Sequence, residues 1–144
     1  MYLVRSGMVL IGRRAANRSW YPGVWDVIGG HIEAEETADF AAQRELREEL
    51  GIDIEPTDLV LIDTLQGVDF ELTLFATGAW QGQPRNLTIE EHDELRWCTP
   101  ADIEQLHVSD PRLAQLAARA VELVERRAPS TVGGAEPTAG ERRA

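Results

Sequence analysis

The sequence predicts an α/β domain, and three observations carry that prediction. Short runs rich in β-branched, leucine and aromatic residues are separated by turns containing glycine or proline. Residues 38–50 place apolar side chains four apart, as a helix with one buried side requires. A second segment, from Asp110 onward, repeats Leu113, Leu116, Ala117, Ala120, Val121 and Val124 at helical spacing. The chain has 144 residues, 43% hydrophobic and 27% charged, which suits one globular domain with a single core.

Taken in order, Tyr2 to Val4 and Met8 to Ile11 read as short strands about Arg5-Ser6-Gly7. The first begins abruptly at Met1, so an exposed sheet edge there, and with it a homodimer, is an expectation. Gly12-Arg13-Arg14 closes the second strand. Pro22-Gly23 marks a turn into a strand ending at Ile28, and Gly29-Gly30 follows where backbone can approach a ligand. Thr37 is placed as the helix N-cap behind the acidic Glu35-Glu36, which suits the positive end of the helix, and Gly51 as the residue that stops it. Ala38, Ala42, Leu46 and Leu50 form a slowly drifting stripe that puts Glu49 near the core boundary.

Beyond the helix, Leu59 to Leu65 and Phe70 to Trp80 are β-rich and flank the turn Gln66 to Asp69. Leu72, Leu74 and Ala76 share one face of the second run, and Thr73, Phe75 and Thr77 the other; Phe75 and Trp80 read as core or sheet-face residues. Gln81 to Asn86 is a loop, followed by the acidic run Glu90-Glu91-His92-Asp93-Glu94 and the strand-like Leu95 to Cys98. The single cysteine, Cys98, forms no internal disulfide and reads as a small core residue rather than a nucleophile. Thr99-Pro100 opens a short helix to about Leu106. Asp110 caps the last helix, with Pro111 at its first position. From Ala128 the composition turns to Pro, Gly, Ser and Thr, so residues 1–127 are expected to form the domain and 128–144 a disordered tail.

Chemistry concentrates in residues 44–49. At about 3.6 residues per turn, Glu45, Glu48 and Glu49 project from one side of the helix, where like charges repel unless the side chains fan into water or enclose a hard cation such as Mg²⁺ or Mn²⁺. Arg44 lies on the other side of these carboxylates, placed to hydrogen-bond one of them. The net charge of −11, with arginine as every basic residue, argues against a nucleic-acid polymer as partner but not against a small phosphorylated one, because bound cations reverse the local field. No apolar run reaches membrane-spanning length and no signal peptide is apparent, so the cytoplasm is the expected compartment and no membrane partner is expected.

Gly30, five residues, Glu36, seven residues, then Arg44-Glu45-Leu46-x-Glu48-Glu49-x-Gly51-Ile52 resembles the full signature of the Nudix hydrolases, and Pro22-Gly23-Val24-Trp25 ahead of Gly29-Gly30 resembles their MutT-like members. The resemblance implies a mixed β-sheet sandwiched between α-helices, a Mg²⁺ or Mn²⁺ cofactor, and hydrolysis of a small nucleotide: a nucleoside triphosphate, including an oxidised one, to monophosphate and pyrophosphate. The alternatives are ADP-ribose or another nucleotide sugar as substrate, or a non-catalytic nucleotide-binding regulator. It implies Glu48 and Glu49 as metal ligands with a backbone carbonyl of Gly29 or Gly30, Glu45 as ligand or general base, Arg44 as the group orienting a glutamate, and Glu36 as a more distant ligand or support. Glu91 and Glu94 are the candidates for an additional metal-binding or water-activating acid, with Glu94 the one assigned to the metal, while His92 reads as ordinary loop chemistry. Arg14, then Arg13, are expected to contact the nucleotide. Asp110 is expected to read the base, if its carboxylate is not used in capping.

Overall fold

The computed structural model describes residues 1–127; the tail expected over 128–144 lies outside them. Six strands, β1 (Tyr2–Arg5), β2 (Met8–Arg14), β3 (Trp25–Asp26), β4 (Val60–Gln66), β5 (Glu71–Thr77) and β6 (His92–Cys98), form one mixed sheet. Three helices accompany it: α1 (Ala38–Leu50), α2 (Pro100–Glu104) and α3 (Leu113–Arg127). The sheet runs β3-β2-β1-β5-β4, with β6 on the other side of β2. The β1–β5 pair is parallel and the other pairs are antiparallel. The edge expected at β1 is not there, because β1 hydrogen-bonds to β2 on one side and to β5, through Tyr2 and Leu3, on the other.

Alternation along the strands sorts the core into two layers. Val9 and Ile11 of β2, Leu74 and Ala76 of β5 and Cys98 of β6 pack with Ile103 of α2 and with Leu113, Leu116, Ala117 and Ala120 of α3. Leu3 and Leu10 on the opposite face pack with Leu46 and Leu50 of α1 and with Ile52 and Ile54 just after it, and Phe75, Trp80, Leu95 and Trp97 lie against this second layer. Phe75 and Trp80 are thus sheet-face residues, as their positions predict. No helix among the described residues is long and apolar enough to cross a membrane.

Helix α1 begins and ends where its sequence indicates. Thr37 occupies the extended N-cap position, but its hydroxyl bonds to Asp39 and not to a backbone N–H. At the other end Gly51 takes the left-handed conformation (φ 68°) and returns its N–H to the Arg47 carbonyl. In α2, Thr99 and Asp102 form a reciprocal capping box with Pro100 in the first turn. Asp110 accepts from the Arg112 N–H ahead of α3, a capping role, although the regular helix starts at Leu113.

One irregularity decides where His92 sits. Along the β2–β6 ladder Leu10 pairs with Trp97, Ile11 with Arg96, Gly12 with Leu95 and Arg13 with Glu94, and then the register shifts so that Arg14 pairs with His92. A bulge of this kind inverts the in-and-out alternation beyond it. His92 is therefore turned to the α1 side with Gly12 and Arg14, while Glu94, on the regular side of the shift, lies to the α3 side with Arg13.

Candidate active site

The site is built on the α1 face. Arg44 is its hub: Nε and Nη2 bind the two oxygens of Glu36 at 2.8 and 2.9 Å, Nη1 donates to Glu45 at 2.8 Å and to Glu48 at 3.2 Å, and Nη2 also donates to the His31 carbonyl at 2.9 Å. A planar guanidinium is the one side chain whose donors can satisfy such a spread of acceptors. It ties the Gly30–Thr37 loop to the carboxylate side of the helix. These contacts hold the Glu36 carboxyl down to about 2, with the paired Arg44 as the main cause and the Glu33 N–H second.

Glu45 lies against Gly30, where any β-carbon would collide with its carboxylate, so glycine is the residue the approach permits. Burial raises the Glu45 carboxyl above its ordinary value, against the pull of Arg44. Glu48 is open to solvent, its side chain 57% exposed.

Glu49 is the unusual member. It is 2% exposed, and both its carboxylate oxygens are buried with no hydrogen-bond partner among the described residues. Burial first, then the neighbouring carboxylates of Glu91 and Glu45, push it up to about 9. Glu91 moves the other way, drawn below its ordinary value by its contact with Glu49 and, more weakly, by Arg18, His92 and Arg14. The buried acid thus keeps a proton while its more open neighbour stays ionised. Glu49, Glu91 and His92 each offer a ligand atom, all within 4.8 Å of one another. His92 is buried across β2, where its ring occupies the space a side chain at residue 12 would need, and burial lowers its pKa.

Two carboxylates and an imidazole around a pair of unsatisfied buried oxygens fit a divalent cation, which would replace the proton on Glu49 and remove the repulsion between the acids. Glu45 and Glu48 border this group.

The remaining expected residues are distributed differently. Glu94 is not brought to Glu49: the regular alternation of β6 on its side of the bulge sets it on the opposite face, where its carboxylate lies 3.1 Å from Arg96 and 3.5 Å from Arg13. Glu91, the other candidate from the same run, takes the place beside Glu49, with His92, which was read as loop chemistry. Arg13 sits on the α3 side, 5.8 Å over the Trp25 ring and bonded to Asp93 at 2.7 Å. Arg14 is on the α1 side and donates to the Trp20 carbonyl at 2.8 Å. Asp110 is remote from the carboxylates along the chain and engaged by Arg112, which donates from Nε at 3.0 Å and Nη2 at 2.7 Å. Gly29 and Gly30 lie together between β3 and the loop that Arg44 fastens.

Residues 1–120 match the family model described as the NUDIX domain. The CTP pyrophosphohydrolase of Escherichia coli is 33% identical over 103 residues, covering 70% of this chain and 73% of that protein. An uncharacterized Nudix hydrolase of Nostoc is 37% identical over 70 residues, 48% of this chain and 41% of that protein. Among solved structures, the MutT Nudix hydrolase of Burkholderia pseudomallei superposes with a TM-score of 0.67 at 26% identity, covering 83% of this chain and 92% of that one. With a family model spanning most of its length and a fold shared with MutT proteins, the chain belongs to the Nudix hydrolases, as an enzyme of the pyrophosphohydrolase type.

Proposed function

We propose that the protein hydrolyses a nucleoside triphosphate to the nucleoside monophosphate and pyrophosphate with Mg²⁺ or Mn²⁺ as cofactor. The observation that carries this reading is the pair of buried, unpartnered Glu49 oxygens with Glu91 and His92 in reach. Glu49 and Glu91 would hold the cation, with His92, Glu48 and a carbonyl of Gly29 or Gly30 as further ligands. When bound, such an ion offsets charge on phosphoryl oxygens and acidifies water.

The chain's own residues account for the rest of the chemistry. Water adds to a phosphorus atom beside the α–β bridging oxygen, that P–O bond breaks, and the water proton passes to a carboxylate. Glu45 is suited to accept it, because burial has raised its pKa while Arg44 fixes its orientation. The guanidinium groups of Arg14 and Arg18 lie close enough to depress Glu91, and they supply positive charge for the phosphates in an otherwise acidic protein. Cys98 is buried on the opposite face of the sheet, which removes the nucleophile that a Nudix-fold isomerase would need.

CTP is the first base to test, since a relative at 33% identity is a CTP pyrophosphohydrolase. The test is release of monophosphate and pyrophosphate from the four common triphosphates, oxidised nucleotides, ADP-ribose and dinucleoside polyphosphates, with and without Mg²⁺. The expected result is metal-dependent pyrophosphate release that falls by orders of magnitude in Glu49→Gln and Glu48→Gln. Full turnover in excess chelator, or wild-type rates in Glu49→Gln, would overturn the assignment.

A further inference from the structure

The acid cluster explains how a diphosphate is held, but it leaves the base of the substrate without a partner. Most aromatic side chains are unsuited to the task. Tyr2 and Trp25 are buried, and Phe75, Trp80 and Trp97 are packed against the α1-side core. Four aromatics are exposed: Trp20 at 73%, Tyr21 at 58%, Phe40 at 55% and Phe70 at 56%. Phe70 folds back over Gly67 at the β4–β5 turn, and Phe40 sits in the first turn of α1. Trp20 and Tyr21 belong to a segment hydrogen-bonded to both Glu91 and Arg14.

That anchoring is specific. The carbonyl of Trp20 accepts from Arg14 Nε at 2.8 Å, on the strand position facing the α1 side. At the start of the same segment Ala15 N–H bonds to the carbonyl of Glu91 at 2.9 Å, and Arg18 N–H bonds back to Ala15 at 3.1 Å. Tyr21 adopts a left-handed backbone (φ 47°), uncommon for a residue of its size, and at its far end the segment is closed by the Gly23 N–H on the Arg14 carbonyl at 2.9 Å. The turn therefore carries one left-handed non-glycine residue and leaves both rings exposed. Arg14 thus fastens the segment at Trp20 and at Gly23, and Arg18 falls in it between the bond to Glu91 and Trp20.

We propose that the Trp20 ring is the stacking platform for the nucleobase of the substrate, with Tyr21 flanking it and Arg18 holding a phosphate oxygen between base and metal. Along the segment Trp20, Arg18 and the Ala15 bond to Glu91 follow one another in the order base, phosphate, cation of a metal-bound nucleotide. Stacking on an aromatic face tolerates any base, since every base has a π-face. This segment therefore accounts for nucleotide over bare polyphosphate and leaves the choice among bases to other contacts. The assignment rests on the reading of the site as one for nucleoside triphosphates.

The test is equilibrium binding, with Mg²⁺ present, of the four nucleoside triphosphate analogues bearing a methylene group between the α and β phosphorus atoms, compared with inorganic tripolyphosphate. Trp20→Ala is expected to raise Kd for at least one analogue about tenfold or more, Trp20→Phe to restore most of it, and the Kd for tripolyphosphate to stay put. In the wild type the analogue should quench indole emission, and Trp20→Phe should remove most of that quench. Phe70→Ala serves as the exposed-aromatic control and is expected to bind as the wild type does. An unchanged analogue Kd in Trp20→Ala, an equal loss for tripolyphosphate, or wild-type binding of the analogues no tighter than of tripolyphosphate overturns the proposal. Hydrolysis of the parent nucleotides is followed in parallel: if none is cleaved while the analogues still bind through Trp20, the proposed reaction falls and the stacking platform stands.

Discussion

Arg44 shows how a single side chain can set the state of its neighbours. It spans both oxygens of Glu36 and reaches Glu45 and Glu48, so the acids it touches are oriented before any ligand arrives. Lysine carries the same charge on one nitrogen and cannot span that geometry. Arg44→Lys is expected to cost about 1–3 kcal/mol of stability and to lower kcat at least about tenfold, measured by urea unfolding and by steady-state turnover; equal kcat in the lysine variant would reduce Arg44 to a structural role. Glu36 gives the pH counterpart. Its folded pKa lies near 2 against an ordinary 4.5, so the ionised form favours the fold above pH 4.5 and that contribution fades as pH falls toward 2. The gap in Tm between wild type and Glu36→Gln should accordingly be full at neutral pH and shrink across that acid window. A gap independent of pH would show that the Arg44–Glu36 pair contributes nothing as an ion pair.

At the level of elements, α1 and β6 form the site, and they differed in how much of their form could be read beforehand. The limits of α1, the stop at Gly51 and the burial of Glu49 follow from apolar spacing, because a regular helix keeps one period from end to end. In β6 the period fails at a bulge, and no residue in Glu91-His92-Asp93-Glu94 marks where the extra position falls. Simple alternation back from Trp97 and Leu95 assigns His92 to the wrong face, whereas the choice of Glu94 over Glu91 came from the family resemblance alone, and alternation already sets Glu94 on the α3 side. The partner strand holds the only visible trace, the small residue at position 12, which makes room for the His92 ring. Gly12→Ala should force that ring aside at a cost of about 1–3 kcal/mol, read as a lower urea midpoint, and should weaken Mg²⁺ binding measured by calorimetry. Wild-type values for both would mean that the ring has free space to move and is no constraint on the cluster.

On the scale of the whole molecule, the acid cluster sets function against stability. A protein with a net charge of −11 already repels itself, and it buries Glu49 with no donor at either oxygen. Burying a carboxyl that must take up a proton against its ordinary pKa is costly, and an amide avoids that cost. A cation held by these acids should therefore act as a stabilising ligand for the folded chain, since the unfolded chain gathers no comparable set of oxygens. At a concentration about one hundred times its Kd, a ligand bound only by the folded state adds about 2.7 kcal/mol, which for a domain of this size raises Tm by several degrees. Differential scanning calorimetry in chelator and across a Mg²⁺ or Mn²⁺ series should show that rise in the wild type. Glu49→Gln should lose most of the rise, yet melt in chelator at or above the wild-type temperature, because the amide is neutral in the buried site without having to take up a proton. A wild type indifferent to both metals, or a Glu49→Gln protein that responds as the wild type does, would mean that the buried acids of α1 serve some purpose other than holding a cation.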